Sequence, residues 1–66
     1  MKVIVNGEPR ELPDGASVAE AVASVSGAAA GIAVAVNDEV VRRSAWAATA
    51  LRDADRIEVL TAVQGG

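Results

Sequence analysis

The chain ends Val63-Gln64-Gly65-Gly66, directly after its most apolar run. Glycine packs nothing and loses the most backbone entropy on ordering, so it is a poor end for a strand. Such an end is either a frayed tail or the working part of the protein. Elsewhere the side chains offer little chemistry. The sequence has no cysteine and no histidine, which removes thiolate metal sites, disulfides, the commonest metal ligand and the commonest general base. Nucleophilic triads and zinc sites are excluded. Nothing pairs a nucleophile with a base, so the chain is not expected to be an enzyme. No metal or organic cofactor has an evident site.

The charge balance narrows the partners. Six Lys and Arg against nine Asp and Glu give a net charge of -3, whereas phosphate binding needs a basic footprint, so nucleic acid is disfavoured. With no Tyr or Phe and the single Trp46, the chain has no platform for stacking bases. The opening MKVIVNGE turns polar too soon for a signal peptide or a membrane span. A soluble, cytoplasmic protein without a membrane partner is expected. At 66 residues the chain holds one domain, which buries only about 60% of the surface its unfolded form exposes.

The elements that would carry the tail follow from local pattern. VIVNGEPREL places Asn6-Gly7 between two extended stretches, the strongest short hairpin signal because both residues tolerate positive φ. Strands are predicted at about residues 2 to 6 and 9 to 12, the second at an edge or starting at Pro9, which lacks an amide donor. Pro13-Asp14-Gly15 is a turn. Ser17-Val18-Ala19-Glu20 matches a capping box, and Val18, Val22 and Val25 with Ala21 give one apolar face, so a helix runs from there towards Gly27, a natural stop. Ala28 to Gly31 reads as loop. Ile32 to Asn37 alternates β-branched residues with alanines as a strand does. A turn at Asn37-Asp38 leads to a short strand over 39 to 42. SAWAATAL is too short to assign. RIEVLTAV forms the last strand, its ordered part ending at about Ala62 or Val63.

A hairpin, a helix and further strands make an α+β fold. The first and last strands carry long apolar faces and are expected to pair in parallel at the centre of a small mixed sheet, with the one main helix packed across it as a right-handed crossover. This is the β-grasp, or ubiquitin-like, arrangement. The domain would span residues 1–62, with 63–66 as a flexible C-terminal tail.

Along its whole length the sequence resembles the ThiS group of the ThiS/MoaD ubiquitin-like sulfur carriers. The diagnostic block is AVAVNDEVVRRSAW, in which a strand is followed by Val40, Val41, Arg42 or Arg43, and Trp46; DADRIEVLTAVQGG ends the match in Gly-Gly. The resemblance implies a carrier that holds sulfur on Gly66. An E1-like adenylyltransferase of the ThiF type would transfer AMP from ATP to the Gly66 carboxylate, and a persulfide from a sulfur donor protein would displace the AMP to leave a thiocarboxylate. A thiazole synthase of the ThiG type would then take the sulfur for thiamin. A carboxylate is a poor electrophile, which explains the activation. Gly65 and Gly66 would slip into a narrow channel, and Val63 to Gly66 extend at most roughly 13 Å into it. No cofactor is bound on this reading; the partner uses the ATP. One departure from the family pattern stands before the last strand, where Asp53-Ala54-Asp55 replaces Asp-Gly-Asp. Alanine there is strained if its φ is positive and harmless in a type I turn.

Other readings compete. The tail could be a plain linker, since termini concentrate disorder. Related carriers serve molybdopterin or cysteine synthesis, a ubiquitin-like modifier would form isopeptides, and a TGS-type regulatory domain would not need its tail. Trp46 is expected to cap a core that has no other aromatic, the alternative being a partner-binding anchor. Arg42 and Arg43 either solvate a loop or meet an acidic partner. Strand parity buries Val3, Val5, Ile57 and Val59 and turns Ile4, Leu60 and Ala62 outward, so these three are expected to form a docking patch leading to the tail.

Overall fold

The computed structural model describes residues 1–25 and 31–61, Thr61 by its backbone alone. Its elements run in the order β1 (Lys2–Val5), β2 (Glu8–Glu11), α1 (Val18–Val25), β3 (Ile32–Val36), β4 (Glu39–Val41), a 3-10 helix (Arg43–Ala48) and β5 (Arg56–Thr61). The sheet order is β2-β1-β5-β3-β4. β1 and β5 are parallel at its centre, and the remaining pairs are antiparallel. This is the β-grasp fold, with the parallel central pair anticipated from the two apolar strands.

Both hairpins turn on residues that accept a left-handed backbone. Asn6 and Gly7 have φ of 51° and 81°, and Asn37 and Asp38 have 48° and 72°, as a type I′ turn requires of its two central residues. Asn6 therefore belongs to the turn and does not extend β1. β2 lies at one edge, where Pro9 faces Ile4 across the pair and its missing donor does least harm. The other edge, β4, is kept to three residues, and a short edge offers little template for a stray strand.

Helix α1 starts as its capping box predicts. The Glu20 amide donates to Ser17 Oγ at 3.3 Å, and the Ser17 amide donates to Glu20 Oε1 at 3.4 Å. Val18, Ala21 and Val22 are buried and join Val3, Val5, Val34, Ile57 and Val59 from the sheet, with Trp46 and Leu51 closing one end. The expected stop at Gly27 and the loop over 28–30 lie outside the described residues. Each fully buried Val, Ile or Leu contributes about 1.5–3 kcal/mol, and Trp46 is the one aromatic among them.

The stretch after β4 becomes a 3-10 helix for a local reason. Ala45 and Thr49 donate their amides to Arg42 and Trp46 carbonyls at 2.9 and 3.3 Å, the three-residue spacing of a tight turn. Trp46, only 6% exposed, donates its indole Nε1–H to the Val41 carbonyl at 2.9 Å. The ring thus fills the core end while its polar atom is satisfied. The helix is tied to α1 through Val18, whose amide donates to the Thr49 carbonyl at 2.9 Å, and through Leu51, whose amide donates to Ala16 at 2.8 Å.

Met1 is fixed as well. Its ammonium donates to the Leu12 carbonyl at 2.8 Å and to Asp14 Oδ1 at 3.2 Å. The hydrogen bond to Asp14, opposed by desolvation and helped by the charges of Asp14 and Glu11, raises the ammonium pKa above its usual 8.0. Among the described residues, no helix is long and apolar enough to cross a membrane.

Candidate functional site

β5 is the element from which the C-terminal residues continue, and its surroundings hold it on both flanks. Before it comes the turn Asp53-Ala54-Asp55. Asp53 accepts from the Lys2 amide at 2.8 Å, and the Ala54 amide donates to the Lys2 carbonyl at 2.7 Å. Asp55 accepts from the Arg52 amide at 2.8 Å and from Asn37 Nδ2 at 3.0 Å. These contacts lock Ala54 at φ 73°, the strained alternative for a residue with a Cβ.

Two asparagines then embrace the strand. Asn37 donates its amide to the Arg56 carbonyl at 2.8 Å and accepts from the Arg56 amide through Oδ1 at 3.0 Å. On the opposite flank, Asn6 donates its amide to the Ile57 carbonyl at 2.9 Å. Its side chain receives the Val59 amide on Oδ1 at 2.8 Å and donates Nδ2–H to the Val59 carbonyl at 3.2 Å. Sequence reasoning placed each asparagine at the end of a strand and in the turn that follows it. Their left-handed backbones aim the side chains along β5, a second role that turn chemistry does not announce.

The sheet face opposite α1 is built by strand alternation. Ile4 stands beside Pro9 and Arg56. Two residues further along β5, Glu58 stands beside Ala35, which in turn pairs with Val40. Two residues beyond that, Leu60 stands beside Ala33. Ile4 and Leu60 do lie on neighbouring strands, but the register separates them by about 13 Å along the sheet, with Glu58 between. The structure therefore does not join them in one contiguous patch. Ile4 is half-buried and borders a depression lined by Gly7, Asp38, Arg56 and Glu58. Arg56 reaches Asp38 there at 3.5 Å, an exposed pair that contributes little.

Around Leu60 the surface is more apolar. Leu60 is 66% exposed and Val40 82% exposed, with Ala33 and Ala35 between their strands. Val40 is a member the sequence reading missed, although its alternation with the half-buried Val41 was visible. Arg42 and Arg43 are exposed where β4 gives way to the 3-10 helix. Arg42 follows Val41 in an extended conformation, with φ -67° and ψ 151°, at the Leu60-Ala33 end of β4. Ala62, Val63, Gln64, Gly65 and Gly66 lie outside the described residues. No group of acidic side chains suited to a metal ion occurs among the described residues.

The comparisons with known proteins agree with this architecture. The sequence matches the ThiS family over residues 3–66. It is 29% identical over 66 residues to the sulfur carrier protein ThiS of Escherichia coli (strain K12), covering all of both chains. Its structure resembles the crystal structure of the thiamine biosynthesis protein ThiS from Geobacter metallireducens, with TM-score 0.80 and 33% identity over the whole of both chains. The solution structure of a thiamine biosynthesis protein from the same organism gives TM-score 0.79 at 33% identity, over all of this chain and 88% of that one. A β-grasp sheet whose central strand runs on towards a Gly-Gly end, matched along nearly its full length, makes this chain a member of the ThiS family.

Proposed function

We propose that the chain is a sulfur carrier of thiamine biosynthesis that works through the carboxylate of Gly66. The observation that carries this reading is the family match running through to residue 66. The domain of residues 1–62 acts as a handle, and Val63, Gln64, Gly65 and Gly66 form a flexible arm that enters the partners' active sites. An E1-like adenylyltransferase binds the handle. A Gly66 carboxylate oxygen attacks the α-phosphorus of ATP, pyrophosphate leaves, and an acyl adenylate results. A persulfide from the sulfur donor protein attacks the acyl carbon and expels AMP. A thiol then reduces the acyl disulfide to the thiocarboxylate and is itself oxidised to a disulfide. A thiazole synthase takes up the sulfur.

Side chains of the carrier have no acid-base role in this sequence of steps. Its contribution is to present a carboxylate without neighbouring bulk and to dock. Leu60, Val40, Ala33 and Ala35 supply the apolar centre of the docking face, with Arg42 and Arg43 beside it and Ile4 in a separate, half-buried position. Small residues between two exposed large ones leave a surface that a partner's side chains can cover closely. Activation consumes ATP, so the carrier is expected to work in the cytoplasm.

Mass spectrometry tests the reading. Incubation with the adenylating enzyme, ATP and a sulfur donor adds about 16 Da at the C-terminus as sulfur replaces oxygen. The chain lacking Gly66 gains nothing. Covalent conjugates with other proteins in place of the mass gain would make it a modifier, and function retained without Gly66 would make it a regulatory domain.

A further inference from the structure

In the parallel ladder at the sheet centre, Ile4 donates to the Asp55 carbonyl at 2.9 Å and Asn6 to the Ile57 carbonyl at 2.9 Å. The paired register stops at Val5 and Ile57, because β1 turns away at Asn6-Gly7. The next backbone groups of β5 on this flank, the amide and carbonyl of Val59, would then lose their partners. Asn6 supplies both from one side chain, Oδ1 at 2.8 Å and Nδ2 at 3.2 Å. A carboxamide has the donor and acceptor of a peptide unit, so the side chain extends β1 by one surrogate peptide group. Few other residues meet the demand. The backbone φ of 51° favours Asn, Asp or Gly. Asp offers acceptors only when ionised, and Gly offers neither group.

We propose that Asn6 is a positioning residue for the sulfur-carrying terminus, an inference that rests on the function proposed above. It fixes the last point at which β5 is held on both flanks. From Leu60 onward the described register holds β5 through β3 alone, at Ala33 and Ile32. Removing the Asn6 amide moves that point back to Ile57, so the segment held on one side at most starts two residues earlier and the Gly66 carboxylate is presented from a less defined origin. Docking residues on the outer face keep their strands. Misplacement of a reacting group is felt in turnover more than in association.

Two variants test this. Asn6→Gly keeps the left-handed backbone and removes the amide. Asn6→Asp keeps one acceptor and turns the donor into an acceptor facing the Val59 carbonyl. Each is studied at a temperature where circular dichroism shows it folded, with the adenylating enzyme, ATP and a sulfur donor, and thiocarboxylate is read by mass. The expected result is kcat lower by about tenfold with KM within about twofold of wild type. Amide exchange at Val59 and Leu60 accelerates by about thirtyfold, the loss of two net hydrogen bonds, and by more than at the core amides of Val3 and Val34, which report global unfolding. Folded variants with wild-type kcat overturn the inference and leave Asn6 a stabilising residue only. Exchange at Val59 and Leu60 that accelerates no more than at Val3 and Val34 overturns it too. If the wild-type chain gains no sulfur, the proposed function fails and so does a positioning role in it, whereas the exchange measurement still decides whether the clamp exists.

Discussion

Ala54 sits in a left-handed conformation, φ 73°, and cannot relax out of it without breaking the contacts of its turn to Lys2. Its Cβ costs about 1–2 kcal/mol in that conformation. Ala54→Gly removes the strain but returns about 0.4–1 kcal/mol through the freer unfolded chain. The net gain spans about 0–1.6 kcal/mol and centres on about 0.8 kcal/mol, which for a domain of this size raises Tm by about 3–6 °C, at about 4–8 °C per kcal/mol. Thermal melting by circular dichroism and urea unfolding by Trp46 fluorescence measure it, and a higher midpoint at unchanged m isolates stability from compactness. Ala54→Val makes the opposite control, since a branched Cβ is worse in the left-handed region. A Tm for Ala54→Gly equal to or below wild type would refute the strain argument. The hydrogen bonds would then be holding a conformation that alanine tolerates freely.

Trp46→Ala is expected to lower Tm by at least about 12 °C, at about 4–8 °C per kcal/mol, because the loss of about 3–5 kcal/mol is a large share of the whole stability of such a chain, about 3–10 kcal/mol; far-ultraviolet circular dichroism reads it. Leu60→Asp should weaken binding to the adenylating enzyme at least tenfold by calorimetry while Tm stays within about 2 °C, the size of an ordinary surface substitution; unchanged affinity removes Leu60 from the docking face. For the 66-residue polypeptide, the raised Met1 ammonium pKa stabilises the fold fully below its usual 8.0 and loses that contribution as pH rises through the folded value. Tm should therefore fall on the alkaline side, and Asp14→Asn, which removes the first cause of the shift, should flatten that fall.

What could be read in the sequence was whatever depends on near neighbours or on strand parity. Asn6-Gly7 gave its hairpin, Ser17 and Glu20 gave the helix start, and alternation over Arg56–Leu60 assigned Ile57 and Val59 to the core. The sign of φ at Ala54 was not accessible, because it is imposed by Lys2 from the far end of the chain. Nor was the separation of Ile4 from Leu60, since parity fixes the face of a residue but the register of β1 on β5 fixes its place along the face. The 3-10 helix escaped notice because SAWAATAL has no periodic stripe, and its shape follows from where Trp46 is pinned to Val41. Asn6 was read for its backbone, and its side chain answers to a strand more than fifty residues away.

The parallel central pair also settles how the molecule bears load. Tension on Gly66 enters the fold through the C-terminal end of β5, while the start of β1 lies at the opposite end of the same ladder. Pulling those two ends apart slides the strands lengthwise, so the Asp55, Ile57 and Val59 bonds to β1 and Asn6 are strained together and not peeled singly. A pull transmitted along β5 is therefore shared by several bonds of the ladder at once.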